Sequence, residues 1–528
     1  MNYLPFLLAI IFLIVLLNII ANKLKIAYPI LLVLVGLAIS FIPNLPVVKV
    51  DPDWIFFIFL PPLLFEASWN ASLKEMKKWW RMIGSFAFLV VLFSAFLVAI
   101  ASNYIIPGFT IALGFVLGGI VSPPDAVSTA AITKFVKIPK STSAILEGES
   151  LLNDASSLII LRFALVAVGT GQFIISHAIS EFLWMIIGGV AVGLIIAFLF
   201  IQFHKRFSAD TSSAIILTVI EPYIMYFIAE KMECSGVLAV VAGGLYMSKM
   251  KMTFMNSSTR LKSISFWEAF SFLLNGIVFF IIGLELPEIV TGIHSKGISI
   301  TTAIWYGIIV TIILIVSRII SSFAGLLATI IFRPSIAKQL NLSINNYKGP
   351  LVLGWTGMRG VVSLAAALSI PLYLENGKMF PQRDLILFIT FVVILLTLVI
   401  QGLTLPFIIR KIKPFKNLDE DIEDSRTKIK LGLKTHIYEQ LKIKYENEDC
   451  NLKENIAMQR ILKYWEDQSK AQETKWIDED IKDVLIEIFE LQRIYLSELN
   501  KDPEIDEDLI RQQIHQIDLE EERIKYIK

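Results

Sequence analysis

The strongest constraint on what this chain can fold into is the rhythm of its apolar runs. Stretches of roughly 16 to 30 apolar residues, long enough to cross a hydrocarbon core of ~30 Å, follow one another from the amino terminus to about residue 413. Short polar breaks separate them near 21, 45, 74, 105, 137, 172, 207, 232, 255, 291, 340 and 378, and twelve breaks imply thirteen spans. Composition agrees: 55% of the 528 residues are hydrophobic, 18% are charged and the mean hydropathy is +0.66, which makes lipid the expected solvent. The first run, from Tyr3 to Ile20, has no basic region before it and leads straight into further apolar segments. It therefore reads as a spanning helix rather than a cleaved signal.

Basic residues test the count, because Lys and Arg concentrate in cytoplasmic loops. The odd breaks carry Lys23 and Lys25, then Lys74, Lys77, Lys78 and Arg81, and so on to Arg333, Lys338 and Lys348. The even breaks carry only Lys49, Lys231, Lys296, Lys378 and Arg383. With Arg410, Lys411 and Lys413 closing the last span, the alternation predicts a multi-pass cell-membrane protein with its amino terminus outside and its carboxyl terminus in the cytoplasm.

A change of composition at Pro414 divides the chain. Residues 1–413 hold 29 Lys/Arg against 18 Asp/Glu, whereas residues 414–528 hold 19 against 29. Stripes such as Ile481, Leu485, Ile488 and Leu491 give the tail one apolar helical face, so a cytoplasmic helical domain with a regulatory or helix-pairing role is expected. Its acidity argues against nucleic-acid binding, and it contains no phosphate loop. Cys234 and Cys450 are the only cysteines and the five histidines are scattered, so neither a disulfide framework nor a resident metal site is expected. No cofactor is implied, and no catalytic triad supports an enzyme.

Charges inside apolar runs are costly and usually face a cavity, a partner or an ion path. Glu66, Asp125, Glu149, Asp154, Arg162, Arg318 and Arg359 are such charges. Asp125 lies in GGIVSPPDAVSTAA, where Pro123 and Pro124 remove two backbone donors and should break the fifth span. A plain proline kink is the alternative. In the twelfth span, GPLVLGWTGMRGVVSLAAA, Gly354, Gly357 and Gly360 bracket Arg359 and weaken the helix likewise. Spans five and twelve run in opposite directions, as the two interrupted helices of an inverted repeat must, and such breaks build midplane ion sites in secondary transporters.

The sixth span opens with LEGESLLNDASSLIILRF, which sets Ser150 and Asp154 along one helical face and Glu149 with Asn153 on another. A carboxylate among apolar side chains can trade a proton for a hard cation near neutral pH. Ser150 can lend it a hydroxyl oxygen, and Asn153 can support the site without charge. Arg359 needs a carboxylate in low dielectric, and Glu149 is the expected partner. Arg162 stands about two helical turns, some 12 Å, beyond Asp154, with Glu66 as its candidate partner; Glu66 could instead bind the ion.

At these strings the chain resembles the sodium/proton exchanger family. FLPPLLFEASWN, SPPDAVST, LEGESLLNDASS, FLLNGIVFFIIGLELP and GWTGMRGVVSLA are similar to its motifs in the expected order, over about residues 1–412. The resemblance implies a dimeric antiporter of thirteen spans. It also implies an Asn-Asp pair at Asn153 and Asp154, a cation-coordinating serine at Ser150, a crossover aspartate at Asp125, a third-span glutamate at Glu66 and a helix bridge from Glu149 to Arg359. Family members commonly read Asp-Pro at the broken fifth helix, whereas here the prolines precede Asp125. Electrogenic relatives carry Asp-Asp in the sixth span, so Asn-Asp implies electroneutral exchange.

The expectation is therefore an all-α membrane protein in which a homodimer exchanges Na+, or K+ or Li+, for H+ across the bilayer. A cation channel and a membrane-anchored sensor signalling through the tail are the rivals.

Overall fold

The computed structural model describes residues 3–42, 52–125, 140–171, 175–207, 210–255, 257–295, 297–332, 348–374 and 377–412, with Leu496, Ile517 and Leu519 beyond them. The continuation of the fifth span after Asp125, the loops around Lys49, Lys137 and Lys338, and the Ile481 to Leu491 stripe lie outside the described residues. The chain divides into two compact units, Met1–Lys416 and Asn417–Lys528.

The first unit is a succession of helices: α1 (Tyr3–Leu24), α2 (Tyr28–Ser40), α3 (Pro52–Asn70), α4 (Leu73–Ile105), α5 (Ile111–Val121), α6 (Lys140–Thr170), α7 (Ile175–Phe207), α8 (Thr211–Lys231), α9 (Gly236–Phe254), α10 (Ser257–Leu284), α11 (Leu286–Ser295), α12 (Ile300–Phe332), α13 (Lys348–Trp355), α14 (Val361–Leu368) and α15 (Arg383–Lys411). Among the described residues, eight helical stretches are long and apolar enough to cross a membrane, and α2 and α5 are shorter apolar helices. Helix starts follow local chemistry. Thr110 and Ser235 each accept the backbone N–H three residues on, at 3.2 and 3.3 Å, and so satisfy one of the first orphan donors of α5 and α9.

Buried side chains form two main apolar clusters. One gathers α1, α2, α5 and α12 with α14 and α15; the other gathers α7, α8 and α9. Three helices pass from one to the other. Phe59 of α3 belongs to the first, and Leu60, Leu64 and Phe65 to the second. On α6, Leu151 and Ala155 lie in the second and Leu161 and Ala164 in the first. On α10, Trp267 lies in the second and Leu274 and Val278 in the first. A seam therefore runs along the helices that carry Glu66 and Asp154. Large apolar side chains such as Phe12, Ile187, Leu199 and Ile312 stand exposed on the outside, where lipid rather than water would meet them.

Close packing fixes the neighbours of the site. On α5, a β-carbon at Gly114 would stand 2.6 Å from the Ala99 carbonyl oxygen, and one at Gly118 would stand 2.5 Å from that of Ala95. Only the missing side chains let α5 lie this close to α4. α5 stops at Val121, capped by the Ser122 N–H on the Gly118 carbonyl, and Pro123 to Asp125 continue without helical bonding, as two adjacent prolines require. α13 and α14 are the halves of one interrupted run, with Thr356 to Gly360 unwound between them.

Candidate functional site

The two breaks meet. The backbone N–H of Asp125 donates to the carbonyl of Met358 at 2.7 Å, so the unwound segments are bonded main chain to main chain. With the Asp125 N–H turned to Met358 and the helix broken, the Val121 and Ser122 carbonyls lack helical donors among the described residues, and Arg359 supplies them. Its Nε donates to the Val121 carbonyl at 2.8 Å and its Nη2 to that of Ser122 at 3.3 Å, while Nη1 reaches the carbonyl of Gly357. A guanidinium here also meets the negative end of the α5 dipole. The Arg359 backbone N–H donates to Thr397 Oγ1 at 3.1 Å, at the start of a π-helical turn, Thr397–Gln401, within α15. Widened turns of this kind recur at functional sites.

α6 lies across this junction. Asn153 Nδ2 donates to the Pro124 carbonyl at 3.0 Å, and Ser157 Oγ donates to the Gly119 carbonyl at 2.8 Å. Ser156 Oγ donates to the Ala87 carbonyl of α4 at 2.5 Å. These bonds fix the azimuth of α6 and leave Asp154 buried, within electrostatic range of Asp125. Tyr28 of α2 lies within such range of both Asp125 and Glu66. Glu66 accepts from Asn70 Nδ2 at 2.7 Å on α3. Ser150, half-buried, is one turn before Asp154. The oxygens Asn153 Oδ1 and Ser122 Oγ are buried without a hydrogen-bond partner among the described residues. Carboxylate, amide and hydroxyl oxygens are the donor types that hard cations take.

The family description "sodium/hydrogen exchanger, transmembrane" matches residues 8–411. The chain belongs to that family. These exchangers are secondary transporters, not enzymes, and the chain is a multi-pass membrane protein. Among curated relatives it is 32% identical over 413 residues to the sodium, potassium, lithium and rubidium/H(+) antiporter of Bacillus pumilus, a match covering 76% of this chain and 60% of that protein. The chain thus spans about three-fifths of that relative's length. It is also 32% identical over 388 residues to the low-affinity Na(+)/H(+) antiporter NhaS1 of Synechocystis, covering 73% of this chain and 69% of that one. The sodium proton antiporter MjNhaP1 of Methanocaldococcus jannaschii, whose structure is known at pH 8, shares the fold. The TM-score is 0.60 at 20% identity, over 77% of this chain and 98% of that one.

Two expected partnerships in this family member are corrected. Glu149 does not pair with Arg359. It forms a two-pronged bridge to Arg318 of α12, at 2.6 and 2.8 Å, with both side chains buried. The reason is that the broken end of α5 already engages the Arg359 guanidinium through carbonyls, and the fork of Arg318 matches a carboxylate edge to edge. Arg162 does not reach Glu66; it bridges to Glu230 at the end of α8. Glu230 was overlooked because it borders a polar break and so reads as a loop residue. A further buried pair, His204 Nε2 with Glu221 Oε1 at 2.6 Å, was also overlooked. Glu221 stands inside the apolar run of α8 beside Pro222, and the rule that singled out Asp154 applies to it equally.

Proposed function

We propose that this chain is an antiporter that exchanges Na+, or K+ or Li+, for H+ across the cell membrane. The observation that carries the reading is the junction at which Asp125, Asn153 and Asp154 meet two unwound segments. A buried carboxylate carries its charge only when a counterion balances it, so Asp154 holds a proton or a cation in turn. Asp125, Ser150 and Glu66 contribute oxygens, and Asn153 ties α6 to the break. One such aspartate beside a neutral amide favours one-for-one, electroneutral exchange.

The cycle is alternating access in a homodimer, with one apolar cluster moving against the other along the seam. Thirteen spans related by an inverted repeat, an outer amino terminus and a regulatory cytoplasmic domain at residues 414–528 complete the proposed architecture. Lipid and the transported ions are its partners. Purified protein in liposomes containing a pH dye provides the test, with Na+, K+ and Li+ added in turn under a clamped membrane potential. Cation-driven proton flux that ignores the clamp is expected, and Asp154→Asn should abolish it while leaving the protein folded. Persisting flux in that variant would remove Asp154 from its role.

A further inference from the structure

A cavity of about 620 Å³ opens between the second half of α6, the end of α8 and the start of α9. Its wall includes Leu158, one helical turn beyond Asp154, and the charged side chains in its lining are Arg162 and Glu230. These two form the bridge described above, with side chains 47% and 29% exposed, so they face the open cavity rather than a sealed core. Glu230 is fixed on its other side too: its Oε1 accepts the Gly236 N–H at 3.0 Å, in the first turn of α9. Lys231, the neighbouring cation, is laid instead over the Phe227 ring, 4.9 Å from its centroid. The bridge joins the α6 segment packed in one apolar cluster to the α8–α9 corner packed in the other.

We propose that Arg162 and Glu230 form an electrostatic checkpoint that sets how readily cations reach Asp154 from the face bearing the α8–α9 connection, and from that face alone. The inference rests on the exchange reading. As a pair the two charges cancel, and a cation in the cavity meets a nearly neutral wall. Alone, Glu230 would concentrate cations in the cavity and Arg162 would repel them. Both act as positioning residues for ion access, since neither is placed among the ligands at the junction.

The test measures half-saturating Na+ for proton flux on each face separately, in right-side-out and everted membrane vesicles. Glu230→Gln should raise that concentration on the cavity face, and Arg162→Gln should lower it. Each shift should be about twofold to tenfold, as one unit charge over roughly 12 Å gives at effective dielectrics between bulk water and the protein surface. The opposite face should keep its wild-type value, and the Arg162→Gln/Glu230→Gln double variant should return close to wild type on both. Arg162→Lys, which keeps the charge, should leave both faces unchanged. Single variants that shift in the same direction, shift both faces equally or shift neither overturn the checkpoint, as does a shift in Arg162→Lys as large as in Arg162→Gln. A wild type without cation-driven flux overturns the exchange reading and this inference with it. A wild type that exchanges, beside variants that break the pattern, overturns this inference alone.

Discussion

The carboxylate of Asp125 rests directly against the bare Cα of Gly360. A β-carbon at that glycine would overlap Asp125 Oδ2 and stand 2.6 Å from Cγ and 2.9 Å from Cβ of the same side chain. Gly360 has φ of −148°, so room for the aspartate, rather than left-handed backbone, is what requires glycine there. Gly360→Ala should displace Asp125 and reduce cation-driven proton flux at least tenfold, with little loss of protein in the membrane. Flux near the wild-type level would mean that the Asp125 position is immaterial to transport.

Glu149 and Arg318 form a buried, bidentate pair, and removing one partner strands the other's charge. Glu149→Ala or Arg318→Ala should each destabilise the fold by about 3–5 kcal/mol, read as a drop in thermal unfolding temperature in detergent. Replacing both with apolar residues of similar volume should cost far less.

The same residues allow the two arginines to be separated by double-mutant cycles. Effects on stability should be strongly non-additive for Glu149 with Arg318. For Glu149 with Arg359 the coupling should be clearly weaker, because Arg359 spends its donors on the Val121, Ser122 and Gly357 carbonyls and meets Glu149 only through space. Strong coupling of Glu149 to Arg359 alone would restore the pairing expected from the motifs.

Asp210, just before α8, accepts from Ser213 Oγ at 2.6 Å and from the Ser213 N–H at 2.9 Å, and these bonds hold its carboxyl below the usual aspartate range. A carboxyl depressed in the folded state contributes stability above its unfolded pKa, and that contribution is lost as pH falls through the folded value. Thermal unfolding followed from pH 7 downward should therefore fall less steeply on the acid side in Asp210→Asn than in the wild type. Parallel curves would show that the cap carries no linked proton.

The apolar rhythm was legible because lipid imposes it residue by residue: α7, α8 and α9 end at Phe207, Lys231 and Phe254, beside breaks expected near 207, 232 and 255. The interruption around Arg359 was legible for the same local reason, since Gly357 and Gly360 lie within one turn of each other and weaken a helix wherever it lies. Charge partners were not. Glu149 and Arg318 are separated by 169 residues, and helical facing shows only that Glu149 points away from Asp154, not which arginine it meets. Arg359 misled because its acceptors are main-chain carbonyls, which leave no trace in side-chain identity. Arg162 misled because its partner Glu230 closes a helix in a polar stretch that resembles any connecting loop.

The contact of α5 with α4 has a mechanical consequence. Where the Gly114 and Gly118 backbone is seated on Ala99 and Ala95, no side chain separates the two helices. Whatever displacement the Asp125 end of α5 undergoes during transport must be passed to α4 almost undiminished. Phe96, exposed on the outer surface of α4, therefore sits on a lever rigidly coupled to the proposed ion site. A spin label or fluorophore there would report each stroke from a position that never touches the ion.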